Sequence, residues 1–381
     1  MSNDLSESAI KTLGDLRHRL DEIDLQIIKL LAERQAEVDR MVSLKKAHNM
    51  PVHHPAREED MISERRSLGT AMGLDPDYLE ELFRSIIRRS RVEQTDSISR
   101  KGVRPDATVL IVGGARGMGK YFADLFNRSG YRTRSMGSRD WDSIESLCRG
   151  IDLAVISVPI DSTENVIRRI APYLPPECLL TDLTSIKGPS MKAMLESHKG
   201  PVVGLHPLFG PTTSSLDKQI IVLAPGRNAD ACKWLNDQLS AWGAVVVQAD
   251  AADHDETMAI VQALRHFATF VFGRFLFKRK VNLFRTLEFS SPIYRLELGM
   301  VGRLFAQDPA LYSEIIFASP ERRTLLKDYL DSITDSIAMV EKGDKEEFNK
   351  QFRQIAEWFG PFSGQAMRES TFLIEKLIER F

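Results

Sequence analysis

Between residues 108 and 250 seven short apolar runs follow one another with helical periods between them: "TVLIVG", "YRTRSM", "DLAVISVP", "CLLTDLTS", "PVVGLHPL", "QIIVLAP" and "AVVVQAD". Runs this short, alternating with helices, bury both faces only as strands of a mostly parallel sheet covered by helices. On either side the period changes. Residues 8 to 47 place Leu13, Leu16, Leu20, Ile23, Ile27, Leu30, Leu31, Val38, Met41 and Val42 at three- and four-residue spacing, which predicts one long amphipathic helix. Pro51 and Pro55 end it, a second helix fits 56 to 70, and a third starts with Asp75 as N-cap and Pro76 at its first position. The polar stretch "QTDSISRKGVRPDA" has no apolar period and reads as a linker. From 253 onward helical periods return, broken at Pro292, Pro309, Pro320 and Pro361. The expectation is a multi-domain chain: an all-α domain over 1–95, a linker over 96–107, a Rossmann-like α/β domain over 108–250, and an all-α domain over 251–381 whose excess of apolar faces suits dimer packing.

Composition narrows the class. In 381 residues, 43% are hydrophobic and 27% charged, which is ordinary for a soluble globular protein. The longest apolar run, "FATFVFGRFLF", is interrupted by Arg274 and too short to span a bilayer, and no signal-peptide apolar region opens the chain. A cytoplasmic protein without a membrane partner is expected. Cys148, Cys178 and Cys232 are far apart and form no C-x-x-C pair, so buried thiols are expected rather than a disulfide framework or a zinc site. The acid-rich "DHDE" at 253–256 reads as the first turn of a helix, where negative charge complements the dipole, so no metal is expected there. A net charge of −2 argues against a nucleic-acid partner and leaves small molecules.

Three groups of residues carry chemistry. The stretch "VLIVGGARGMGKYF" is a strand, a glycine-rich turn and a helix, the setting of a dinucleotide site. Its G-x-G-x-x-G reading is broken at Arg116, but Gly113, Gly117 and Gly119 also satisfy G-x-x-x-G-x-G. Where a carboxylate for the ribose hydroxyls is usual, after the second strand, stand Gly137, Ser138 and Arg139. This leaves NADP in play beside NAD, unless Asp140 or Asp142 reaches the ribose by a shifted loop. Second, Ser157, Ser185 and His206 fall at strand ends, where open α/β sheets bind ligands. A neutral imidazole there can accept a hydroxyl proton while hydride leaves the same carbon. Third, Arg34 and Lys45, eleven residues apart, return to one face of the long helix about 16 Å apart, while Arg17 lies roughly 25 Å from Arg34. If Arg17 contributes to the same site, it must come from a partner chain.

The run "LRHRLDEIDLQIIKLLAERQAEVDRMVSLKK", with "REED" and "LFRSIIRRSRVEQ", resembles the all-helical chorismate mutases over residues 12 to 95. The resemblance implies an intertwined dimer and the Claisen rearrangement of chorismate to prephenate, an isomerase reaction. It further implies that Arg17 of the partner chain, Arg34 and Arg57 hold the two carboxylates. Lys45 and Gln94 would face the ether oxygen, Glu58 the hydroxyl, and Ser90 would line the site. A pericyclic reaction needs no nucleophile and no proton transfer, so cations and one amide suffice.

The α/β part and the helical remainder of the chain resemble prephenate dehydrogenases, from "VLIVGG" through "SVPI", "LTSIKG" and "GLHPLFGP" to "QALRHFATF" and "SSPIYRLELGMVGRLFAQDP". Taken whole, the chain resembles the bacterial family of fused chorismate mutase/prephenate dehydrogenases of tyrosine biosynthesis. That implies an oxidoreductase step, the NAD(P)-dependent oxidative decarboxylation of prephenate to 4-hydroxyphenylpyruvate. By the same resemblance His206 is the catalytic histidine, Ser185 orients the hydroxyl, and Lys187 shares its motif. Arg303 binds the prephenate carboxylate, and His266 stands at the site of substrate and of tyrosine as feedback inhibitor. Gly113, Gly114, Arg116, Gly117, Met118, Gly119, Ser138, Arg139, Ser157 and Pro159 would line the cofactor. Arg295 is a weaker candidate, with Glu288 and Glu297 as rival partners. Two other readings remain at this point: a regulatory protein that binds these ligands without turnover, and a monofunctional dehydrogenase whose helical domain serves only to dimerise.

Overall fold

The computed structural model describes residues 7–47, 55–98 and 102–378. The helical start comprises α1 (Glu7–Ala47), α2 (Pro55–Ala71) and α3 (Pro76–Ile98). Asp75 caps α3 as its sequence demands, its Oδ1 accepting from the amide of Asp77 at 2.7 Å. Val38, Val42, Ile62 and Ile87 form a small core where the three helices meet. By contrast, the apolar stripe of α1 from Leu13 to Leu31 is largely exposed among the described residues; Leu16, Leu20 and Leu30 are each about 60% exposed.

All seven apolar runs form strands. In chain order the elements are β1 (Thr108–Val112), α4 (Gly117–Arg128), β2 (Arg132–Met136), α5 (Ile144–Cys148), β3 (Leu153–Ile156), α6 (Ile160–Ile170), β4 (Leu179–Asp182), α7 (Gly188–Ser197), β5 (Val202–Pro207), β6 (Ile220–Pro225), α8 (Ala229–Ala241) and β7 (Val245–Gln248). The sheet order is β2-β1-β3-β4-β5-β6-β7, parallel throughout except for the β5–β6 pair. The inner strands β1, β3, β4 and β5 are buried at every residue, whereas the edge strands β2 and β7 are polar or half exposed. This is how a sheet covered on both faces differs from its rims. Because β1 lies between β2 and β3, the winding reverses there, and the glycine turn that follows β1 sits at that switch point.

The rest is helical: α9 (Ala251–Met258), a π-helical turn over Ala259–Leu264, then α10 (Arg265–Lys278), α11 (Leu283–Glu288), α12 (Pro292–Phe305), α13 (Pro309–Phe317), α14 (Pro320–Lys342), α15 (Lys345–Phe359) and α16 (Pro361–Ile378). Each proline read as a break is the first residue of a helix, where its missing N–H costs nothing. Ser291, Asp308 and Ser319 cap three of these starts. Val301, Leu304, Ile315 and Ile316 are buried, but Phe277, Phe284 and Trp358 are more than four-fifths exposed, so broad apolar faces lie open among the described residues. Among the described residues no helix is long and apolar enough to cross a membrane.

The chain forms two compact units. One comprises Met1–Ser157, Arg168–Leu183 and Met194–Gln248; the other comprises Val158–Ile167, Thr184–Ala193 and Ala249–Phe381. The stretches that follow β3 and β4 thus group with the C-terminal helices, although they are continuous in sequence with the sheet. In the first unit all three cysteines are buried and free, and burial pushes the thiols of Cys148 and Cys232 up to about 11 and that of Cys178 higher still.

The core of that unit turns on Trp242, which is 1% exposed. Its ring meets Phe126 edge-on at 4.9 Å and Phe122 at 6.3 Å, and its Nε1 donates to Ser129 Oγ at 2.8 Å. Trp242→Ala is expected to destabilise the first unit by about 3–5 kcal/mol. Urea unfolding followed by circular dichroism checks this, and a loss under about 1 kcal/mol would contradict the packing described.

Candidate functional sites

In the helical start, Arg34 of α1 donates from Nη1 to Ser90 Oγ of α3 at 2.8 Å, joining two of the expected mutase residues. Ser90 is 4% exposed and also donates to the carbonyl of Ile86. Burial, with Arg65 nearby, lowers the pKa of Arg34, so the guanidinium stands in a setting that favours an anionic ligand. Glu58 of α2 pairs with Arg91 at 2.6 Å, and Arg91 Nε lies 3.4 Å from Asp217 in the segment between β5 and β6. Arg57 and Arg17 are exposed, and Arg17 lies on the uncovered half of α1, far along the helix from Arg34. The side chains of Lys45 and Gln94 lie outside the described residues. Arg65 and Arg91 were not singled out from sequence, because each stands in a run of charges that reads as a solvated face.

At the glycine turn, Gly113 and Gly117 have φ of +89° and +57°, a region that favours glycine. Gly117 opens α4, preceded by Arg116 in extended conformation and exposed to solvent. Arg116 thus stands just outside the helix, and the positive φ of Gly117 re-routes the chain. Gly119 allows the tightest approach: a Cβ there would fall 2.3 Å from the carbonyl oxygen of Gly113. A Cβ on Gly114 would fall 2.7 Å from Ser135 Oγ. The turn is therefore held against β2, with Met118 half-buried behind it and the amides of the first turn of α4 at the head of the helix dipole. After β2, Asp140 folds back so that its Oδ2 accepts from the amide of Gly137 at 2.7 Å. A carboxylate thus lies beside Gly137, three residues on in the chain, and Ser138 and Arg139 are exposed next to it.

At the same end of the sheet as the glycine turn, His206 is the next-to-last residue of β5, opposite Val222 of β6, and is 2% exposed. The parallel run β1-β3-β4-β5 brings the two to that end. Ser157, just past β3, donates its amide to the carbonyl of Val112 at 2.8 Å.

In the second unit, Pro159 is exposed and its carbonyl accepts from Ser162 N and Thr163 Oγ1, both at 3.0 Å, at the start of α6. Ser185 is half-buried and Lys187 fully buried. The amides of Lys187 and Gly188 donate to Asp255 of α9, a contact that sequence reading missed by taking "DHDE" only as dipole complement. His266 is the second residue of α10, in its first turn after the π-helical segment; its ring meets Tyr312 edge-on at 4.8 Å, and burial, then Arg265, push its pKa down to about 4. Arg303 lies exposed in the last turn of α12. Arg295 donates to the carbonyl of Leu287, while Glu288 pairs with Arg285. Among the described residues no group of three or more metal-ligating side chains occurs.

Comparison with known proteins matches three families along the chain. Residues 16–95 match the chorismate mutase type II family, 128–248 the nucleotide-binding domain of prephenate dehydrogenase, and 250–354 its dimerization domain. The T-protein of Enterobacter agglomerans is 41% identical over 366 residues, covering 96% of this chain and 98% of its own. The T-protein of Haemophilus influenzae is 37% identical over 370 residues, covering 97% and 98%. The fold is shared with the prephenate dehydrogenase of Aquifex aeolicus crystallised with hydroxyphenyl propionate and NAD+, at a TM-score of 0.54 and 19% identity over 66% of this chain and 96% of that one. With two relatives similar from end to end and all three family models in order, the chain belongs to the T-protein family, bifunctional enzymes that join a chorismate mutase to a prephenate dehydrogenase.

Proposed function

We propose that the two activities occupy separate sites in a homodimer, with the mutase over 1–95, a linker over 96–107, and the dehydrogenase built from 108–250 and 251–381. At the mutase site Arg34, Arg57 and Arg17 from a second copy hold the carboxylates of chorismate. Lys45 and Gln94 face the breaking ether bond, Glu58 meets the hydroxyl, and Ser90 holds Arg34 in place. The uncovered stripe of α1 supports a second copy as the source of Arg17. Catalysis there is conformational restraint plus stabilisation of charge on the departing oxygen.

For the dehydrogenase, the observation that carries the reading is the placement of His206 and the glycine turn at the carboxyl end of one parallel run of strands. A dinucleotide fits the turn, because the close approach of Gly119 to Gly113 leaves the first amides of α4 open to a pyrophosphate. Gly113, Gly114, Arg116, Gly117, Met118 and Gly119 would hold the pyrophosphate, Ser138 and Arg139 would flank the ribose, and Ser157 and Pro159 would line the nicotinamide end. When bound, the nicotinamide supplies the hydride acceptor. His206 takes the proton of the C4 hydroxyl, Ser185 orients that hydroxyl with Lys187 beside it, and Arg303 holds a carboxylate by its planar fork. Loss of CO2 then gives 4-hydroxyphenylpyruvate. Chorismate supplied with NAD to the purified protein should yield that product. His206→Asn should stop the reaction at prephenate, and Arg34→Ala should abolish prephenate formation while leaving oxidation of added prephenate intact. Equal loss of both activities in either variant would overturn separate sites.

The cofactor we propose is NAD. Asp140, anchored on Gly137, offers the ribose hydroxyls a carboxylate and repels a 2′-phosphate. The exposed Arg139 supports the rival NADP reading. The ratio of kcat/KM for NAD over NADP should exceed roughly tenfold and should fall at least roughly tenfold in Asp140→Ala; a wild-type preference for NADP would exclude this reading.

Tyrosine is proposed as an inhibitor acting at His266. With its pKa lowered from 6.5 to about 4, the imidazole stays neutral at physiological pH. The folded state binds this proton less readily than the unfolded state, so the group costs stability as pH falls from about 6.5 towards 4 and none above. His266→Asn should therefore weaken tyrosine inhibition without moving any limb of the dehydrogenase pH profile between pH 6 and 9, a range chosen about two units clear of that value. An altered profile with unchanged inhibition would refute the assignment.

A further inference from the structure

Helix α7 opens at Gly188, directly after the segment that carries Ser185 and Lys187. A helix start leaves amides without intrahelical partners, and they are usually met by an acceptor on the residue just before the helix. That residue is Lys187, whose side chain has only donors. Acceptance comes from elsewhere in the same unit: Asp255 of α9 takes the amide of Lys187 on Oδ1 at 2.8 Å and the amide of Gly188 on Oδ2 at 2.7 Å. The carboxylate is itself held. His254, 2% exposed, donates from Nδ1 to Oδ1 at 2.7 Å, and the buried guanidinium of Arg322 is near enough to respond to the charge. Burial alone would raise the pKa of Asp255, but the bonds from His254, Lys187 and Gly188 outweigh it and keep the group below the usual carboxylate range. Gly188 is matched to this grip, since a Cβ there would stand 3.1 Å from Oδ2. Thr184 Oγ1 donates to the carbonyl of Ile186 at 2.8 Å, and Ser190 Oγ lies 3.2 Å from the carbonyls of Ile186 and Lys187. The segment is thus gripped by its amides from α9 and by its carbonyls from its own flanks.

We infer that Asp255 is a positioning residue of the dehydrogenase: by capping α7 across from α9, it fixes the backbone on which Ser185 and Lys187 are presented. The inference rests on the proposed roles of those two residues. Its energetic scale is that of two charge-assisted hydrogen bonds, replaced in an Asn variant by one neutral acceptor.

In the full-length protein, Asp255→Asn is expected to lower dehydrogenase kcat/KM for prephenate by roughly ten- to a hundredfold. Mutase turnover and KM for NAD should stay within about twofold. Gly188→Ala, which displaces the same carboxylate without changing charge, should lower kcat/KM in the same direction. Because Asp255 acts through the segment, Asp255→Ala should cost less in a Ser185→Ala background than alone. An unchanged kcat/KM in Asp255→Asn, a parallel fall of mutase activity and NAD affinity, or independent effects that multiply in the double variant would each overturn the inference. If Ser185→Ala lowers dehydrogenation while Asp255→Asn does not, positioning fails alone. If Ser185→Ala has no effect, the assigned role of Ser185 fails and takes this inference with it.

Discussion

Parallel strands cannot be joined by tight turns, and that constraint shapes the first unit. Each of β1, β3 and β4 must be followed by a crossover, and each crossover returns the chain to the same end of the sheet. The carboxyl ends of β1 and β5 therefore lie at one end of the sheet, with the glycine turn after the first and His206 in the last two residues of the second. A backbone rule brings together groups almost a hundred residues apart in sequence. The antiparallel β5–β6 pair is the exception, and its register is set by direct pairing from Val203 with Pro225 to Pro207 with Ile221.

Much of this was legible because it rests on local signals. All seven short runs became strands, six of them carried by Val, Ile and Leu, and Asp75, Pro292, Pro309, Pro320 and Pro361 marked helix starts. Glycines with positive φ were legible as a turn at Gly113 and Gly117. What escaped were partnerships between distant or misleading positions. Asp255 and Lys187 are 68 residues apart, and neither motif hints at the other. Asp140 was open because a carboxylate that folds back three residues onto Gly137 looks, in linear order, like one in the wrong place. The grouping of the stretches after β3 and β4 with the C-terminal helices was also beyond sequence reading, since strand and helix periods report local burial and not which core receives it.

The Glu58–Arg91–Asp217 arrangement joins the helical start to the sheet within the first unit. Arg91 is 7% exposed between a carboxylate of α2 and one in the segment after β5. Taking three charged groups out of water is costly, so such a cluster contributes more to orientation than to net stability. Its effect is to fix Glu58, proposed to meet the chorismate hydroxyl, by a group that also touches the dehydrogenase part of the chain.

The three buried cysteines have a further consequence. Their thiols are pushed far from ionising at neutral pH, and the thiolate is the form that reacts with alkylating agents and disulfides. Cys148, Cys178 and Cys232 all belong to the sheet-bearing unit, so capture of a thiol by a reagent requires that unit to open. The chain thereby carries its own clock for conformational opening, one built from native side chains and silent while the fold is intact.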